Sequence, residues 1–168
     1  MPQIKKILFI IFLLLSQWSM GQMSNYKSLY IYNFIKNIEL PQADAKEDFV
    51  IIVMGDADTF TALKNIYQTK NIGNRKVAVM LAGSVEEFQD ADLIYVGYSK
   101  RKHLVSINNW IGKKAVLVVS EYKSSRIADI IFDESSGGLE FYIRPKKITD
   151  KGMKLSDELV KLGKTIDN

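Results

Sequence analysis

Three short polar segments each follow directly on an apolar run: Gly55-Asp56, Gly97-Tyr98-Ser99-Lys100 and Ser120-Glu121. If those runs are parallel strands, the polar residues sit together at the strands' carboxyl ends. Open α/β sheets bind ligands in that crevice, next to helix N-termini that favour anions. Asp56, Ser99, Lys100, Ser120 and Glu121 are therefore the expected lining of a pocket for a small polar or anionic ligand. A plainer reading stays open beside it. The glycines turn the chain, Asp58 and Ser99 cap helices, and Lys100-Arg101-Lys102 is a solvated basic run. No G-x-G-x-x-G or Walker-type loop sharpens the pocket.

Other residue types argue against catalysis. The chain has no cysteine and one histidine, which excludes thiolate nucleophiles, disulfides and any metal site needing two imidazoles. His103 as a general base would need an orienting carboxylate and a nucleophile, and none is placed by the sequence. Asp133 and Glu134 are adjacent at a hairpin tip, where neighbouring side chains point apart. Trp110, close to Gly112, is expected to pack a helix end rather than stack a ligand. No catalytic residue, metal or cofactor is expected, and the chain is read as a non-enzyme.

The elements that must position the polar residues follow from patterning. Lys5 and Lys6 precede the apolar run Ile7 to Leu15, and Ser19-Met20-Gly21 supplies small residues at the cleavage position. Residues 1–21 are read as a signal peptide cut between Gly21 and Gln22, the run being too short to span a bilayer. The protein is expected in the periplasm, with residues 22–168 as a single domain. Removing Lys5 and Lys6 with the leader leaves 21 basic and 19 acidic residues, too even a balance to suggest nucleic acid.

Tyr26 to Leu40 places Leu29, Tyr30, Phe34 and Ile38 at helical spacing, closed by Pro41. Tyr26, Tyr30, Tyr32 and Phe34 exceed what one face needs for packing and suggest an interaction helix, since interface cores favour such residues. Packing of all four inside the monomer is the alternative. Phe49 to Met54, Lys76 to Leu81, Asp92 to Gly97 and Ala115 to Ser120 read as strands, separated by helices at Thr59 to Gln68, Ser84 to Asp90 and Lys100 to Ile111. Such alternation predicts parallel pairing. Ile127 to Phe132 and Leu139 to Ile143, joined by a polar loop with Gly137-Gly138, predict an antiparallel hairpin. Gly152 to Lys164 reads as a closing helix. The expected architecture is a three-layer, Rossmann-like α/β sheet, mainly parallel, with an antiparallel hairpin at one edge.

With those elements in place, the chain resembles the YfiR-like family of exported bacterial proteins. The segment Leu29-Tyr30-Ile31-Tyr32-Asn33-Phe34-Ile35-Lys36, followed by Glu39-Leu40-Pro41, is similar to the family's opening helix, with Leu40 where Trp is usual. Gly55-Asp56, Ile72-Gly73-Asn74-Arg75, the strands Ala91 to Gly97 and Val116 to Ser120, and Gly152 to Ser156 with Glu158-Leu159 match further family motifs in order. The resemblance implies a periplasmic regulatory binding protein that acts by protein–protein contact, like repressors of membrane diguanylate cyclases. It implies a homodimer, for which the aromatic helix or the antiparallel edge is the surface expected from the residues, and a membrane signalling protein or envelope lipoprotein as partner. A redox switch is not implied, because the cysteines it needs are absent. The alternative is a periplasmic small-molecule-binding module delivering a ligand to a membrane complex.

Overall fold

The structure, a computed structural model, describes residues 18–41, 48–135 and 137–166. Residues 1–17 of the expected leader lie outside this range; its last four residues begin the first helix. That helix, α1, runs Trp18–Asn37 and leads into a two-residue strand, β1, Ile38–Glu39. The segment Asp48–Met54 forms β2, Ala57–Tyr67 α2, and Lys76–Leu81 β3. Next come β4 (Leu93–Val96), α3 (Leu104–Ile111), β5 (Leu117–Ser120), β6 (Ile130–Asp133) and β7 (Glu140–Ile143). The chain ends with α4 (Pro145–Asp150), β8 (Lys154–Leu155), α5 (Asp157–Leu162) and β9 (Lys164–Thr165).

Seven strands form one sheet in the order β3-β2-β4-β5-β6-β7-β9. Pairing is parallel from β3 through β6, antiparallel between β6 and β7, and parallel again between β7 and β9. The central strands are apolar on both faces because both faces are covered, the usual condition of a parallel sheet. On one side Ile51, Val53, Leu93, Tyr95, Leu117 and Val119 pack under α1, α2, α4 and α5. On the other, Ile52, Met54, Ile94, Val96 and Val118 meet Leu104, Ile107 and Ile111 of α3. This is the expected three-layer α/β architecture. The chain leaves β2 for β3 on one side and returns to β4 on the other, so a switch point lies above the carboxyl ends of β2 and β4.

Four local expectations are corrected. The α1 face in the core is Ile31, Phe34 and Ile35, with Ile38 buried just beyond the helix in β1, while Leu29 is exposed. The helix is rotated because its earlier turns insert Ser24, Lys27 and Ser28, all buried, beside the sheet. The antiparallel hairpin is present but is not the edge, since β9 pairs outside β7. The closing helix Gly152 to Lys164 is broken up: Lys154 and Leu155 pair with Glu39 and Ile38, Ser156 donates its N–H to the Asn37 carbonyl and then caps α5, which is only six residues long. Finally, Tyr98–His103 is a 3-10 turn, so the α-helix expected from Lys100 begins at Leu104.

Candidate functional site

At the end of β2 the chain turns through Gly55 with φ +80°, a conformation that favours glycine. Asp56 then caps α2, its Oδ1 accepting the Thr59 N–H at 2.8 Å and its Oδ2 the Thr59 hydroxyl at 2.7 Å. Tyr95 of β4 has no solvent exposure. Its hydroxyl donates to Asp56 Oδ2 at 3.1 Å and to Glu121 Oε1. Glu121 follows β5 directly, and its Oε2 accepts the Tyr98 N–H at 2.8 Å. The ends of β2, β4 and β5 are thus joined by one polar network.

Helix α1 supplies the cation. Lys27 Nζ lies 2.5 Å from Glu121 Oε1, 2.7 Å from Glu134 Oε1 and 3.9 Å from Asp56 Oδ2, with 9% of its side chain exposed. Burial alone would push its pKa down. The hydrogen bonds and charges of Glu121 and Glu134 outweigh this and leave it raised, so Lys27 is a firm ammonium. Burial, then the negative charges of Glu121 and Asp56, push the Tyr95 phenol well above its usual range. Its proton stays in place as a donor.

Above this network opens a cavity of ≈ 480 Å³, a size suited to a small molecule. Ser24 and Lys27 line it from α1, Asp56 and Asp58 from α2, Tyr98 and Ser99 from the turn after β4, and Glu121 and Glu134 from the loops after β5 and β6. Met23 adds an apolar patch at the rim.

Of the expected crevice residues, Asp56, Ser99 and Glu121 line the cavity. Ser99 donates its hydroxyl to the Gly55 carbonyl at 3.0 Å, closing the β2 and β4 turns on each other. Lys100 does not face the cavity; its ammonium bonds the Gly83 carbonyl at 2.8 Å. Ser120 is fully buried, and its hydroxyl accepts the Tyr122 N–H at 3.1 Å. Both departures have a simple origin. Ser120 is still within the strand and alternates inward, and Lys100 follows the 3-10 turn round to the β3 side. With Lys100 absent, four carboxylates and one ammonium line the cavity, a more acidic lining than the expected one for a small polar or anionic ligand.

The four aromatic residues of α1 are not equivalent. Phe34 is fully buried, its ring centroid 4.9 Å from that of Phe141 and 5.7 Å from that of Phe132. Tyr30 is half-buried against Phe132 and Phe141, and Tyr32 lies between Tyr67 and the Lys70 ammonium. Tyr26 alone is largely exposed, at 56%, with Leu29 beside it at 48%. Phe34 therefore belongs to the core and cannot meet a partner while the domain stays folded.

Sequence reasoning missed Lys27, Tyr95 and Glu134. Two of them had a signal. Lys27 is at helical spacing with Ile31, Phe34 and Ile38, a charge on the buried face that must find a counter-charge. Tyr95 is the one polar side chain in an otherwise aliphatic strand, and its hydroxyl needs a partner. Glu134 had none, because the loop after β6 reaches the site only through the sheet order.

Comparison with known proteins adds the decisive observation: residues 24–164 match the model of the YfiR/HmsC-like family. The chain belongs to that family. The match covers every residue that lines the cavity except Met23 and begins at Ser24, one turn before Lys27. No curated protein matches the chain. Family membership implies a periplasmic regulator in diguanylate cyclase signalling rather than an enzyme. No described helix is long and apolar enough to cross a membrane. Among the described residues, no cluster of three or more His, Asp or Glu side chains is arranged to hold a metal ion.

Proposed function

We propose that the protein is exported by cleavage after Gly21 and represses a membrane diguanylate cyclase by direct contact with that enzyme's periplasmic part. The family match over residues 24–164 carries this reading. The surface of α1 supports it: Tyr26 and Leu29 stand exposed side by side on a helix whose opposite face is locked into the core. Large exposed apolar and aromatic side chains of this kind are the anchors of protein contacts. The same patch is proposed to hold a second copy of the chain, with an envelope lipoprotein as a further partner. The antiparallel hairpin is less suited to pairing, because β9 covers it.

The strand-end cavity favours a second element, a small-molecule input. In this reading Asp56, Ser99 and Glu121 belong to the ligand site, joined by Lys27 and Glu134, and the module reports ligand to its membrane partner. Deleting the gene and measuring cyclic-di-GMP tests the regulatory role. A rise reversed by the wild-type chain, but not by a Tyr26→Asp variant of normal abundance, is expected. An unchanged level would remove the reading.

A further inference from the structure

The cavity above the strand ends has a one-sided charge. Asp56, Asp58, Glu121 and Glu134 face it, against the ammonium of Lys27 alone. Three of the donors at this end of the sheet are already engaged. The Tyr98 N–H is held by Glu121, the Thr59 N–H by Asp56, and the Ser99 hydroxyl by the Gly55 carbonyl. A carboxylate or phosphate entering here would meet like charges in a partly dry site. A cation would meet the opposite.

The protein itself displays what the acidic cage accepts. A primary ammonium sits there now, within 2.7 Å of both glutamates, and it arrives on a four-carbon stem from a separate element, α1. Beside the cage the wall turns apolar. Met23 and Tyr98 also line the cavity, and Tyr98, 54% exposed, carries the Arg101 guanidinium 4.4 Å from its ring centroid. Acid at one end and thioether and phenol at the other fit an amphiphilic amine.

We propose that this cavity is a receptor site for a small organic cation, a primary ammonium on an apolar stem. The ligand's head takes the place of the Lys27 ammonium between Glu121 and Glu134, and its stem lies on Met23 and Tyr98. Lys27 is then a built-in competitor. While it occupies the cage, it ties α1 to the ends of β2, β5 and β6. When the ligand displaces it, that tie is lost, and the first turns of α1, which carry Tyr26 and Leu29, are held less firmly while Ile31, Phe34 and Ile35 keep the rest of the helix in the core. A ligand moves such an equilibrium only through its preference for one state, and the displaced tether supplies the preference. Because Lys27 competes from within the same molecule, at an effective concentration on the order of millimolar, a simple amine binds the wild type weakly. The inference rests on the regulator reading for its purpose, but binding is measured without any partner, so the two fail separately.

The test is titration of isotope-labelled protein, purified from the cell envelope, with n-butylammonium chloride. Sodium butyrate and butanol at matched ionic strength are the anionic and neutral counterparts. Saturable amide shifts at Gly55, Tyr98 and Glu121 are expected with the ammonium alone. Lys27→Ala removes the competitor and should tighten that binding at least tenfold. Glu134→Gln alters a half-exposed side chain, so the fold should survive, and should weaken binding at least threefold. If Lys27→Ala is poorly folded, recovery of its melting temperature by butylammonium, and not by butyrate, is the expected rescue. Equal or better binding of butyrate, no saturable response to butylammonium, or affinity unmoved by both substitutions would overturn the proposal.

Discussion

Tyr95→Phe isolates the polar network beneath the cavity. The substitution keeps the ring, which packs edge-on against Phe132 with centroids 6.3 Å apart, so no void opens. It removes one hydroxyl that donates to both Glu121 and Asp56. Hydrogen bonds to charged groups contribute about 1.5–3 kcal/mol. Here the lower half of that range applies, because Glu121 keeps Lys27 and the Tyr98 N–H, and Asp56 keeps Thr59. A loss of about 2 kcal/mol is expected, equivalent to about 4–8 °C in Tm for a domain of this size. Urea unfolding at pH 7 measures it.

The pH dependence adds a second readout. Tyr95 and Lys27 both hold their protons more tightly folded than unfolded, against ordinary values of 10.0 and 10.5. The stability they contribute is therefore fully present below about pH 10 and lost as pH rises through their folded values. The gap between wild type and Tyr95→Phe should shrink steadily above pH 10. A gap below 0.5 kcal/mol at pH 7, on the order of a surface substitution, would refute the network as described. A gap that does not change up to pH 11 would refute the assignment of the phenol as its proton donor.

Three further outcomes follow from the same geometry. Phe34→Ala should cost about 3–5 kcal/mol by emptying the aromatic core, whereas Tyr26→Ala should leave the melting temperature within about 1 °C and change only association, read by light scattering at high micromolar concentration. Asp129 is fully buried, accepts the Val118 N–H at 2.8 Å and pairs with Lys151 at 2.5 Å; Asp129→Ala leaves Lys151 without its counter-charge and should cost about 3 kcal/mol or more in urea unfolding. Gly55→Ala places a side chain at φ +80° against Ser99 and Lys100, and should lower stability by about 1 kcal/mol or more while disturbing amide signals at the cavity.

Long-range organisation was the legible part of this chain. Runs such as Phe49 to Met54 and Leu93 to Val96 are apolar without a break because helices cover both faces of the sheet. Parallel pairing then followed from the alternation and the length of the connections, while the strand order did not. The site was only partly legible. Asp56, Ser99 and Glu121 were rightly placed at the strand-end cavity because a residue just past a strand end has one place to go. Lys100 and Ser120 were misplaced because one step along a turn or strand reverses a side chain, and sequence spacing does not fix that step. Glu134 was invisible, since only the parallel neighbour relation of β5 and β6 brings its loop to Glu121. The lining changed with these details: losing Lys100 and gaining Glu134 makes a pocket expected for a small polar or anionic ligand predominantly acidic. Short closing elements were hidden as well, because β8 and β9 owe their extended form to partners far along the chain, Ile38-Glu39 and Tyr142-Ile143.

The regulatory claim meets its most direct test in the native host. Cyclic-di-GMP is measured in a strain lacking the gene and in one with a photo-crosslinking residue at Tyr26. The account predicts a severalfold rise on deletion and an ultraviolet-dependent adduct joining Tyr26 to a membrane diguanylate cyclase. An unchanged cyclic-di-GMP level, with no adduct to such an enzyme, would contradict it.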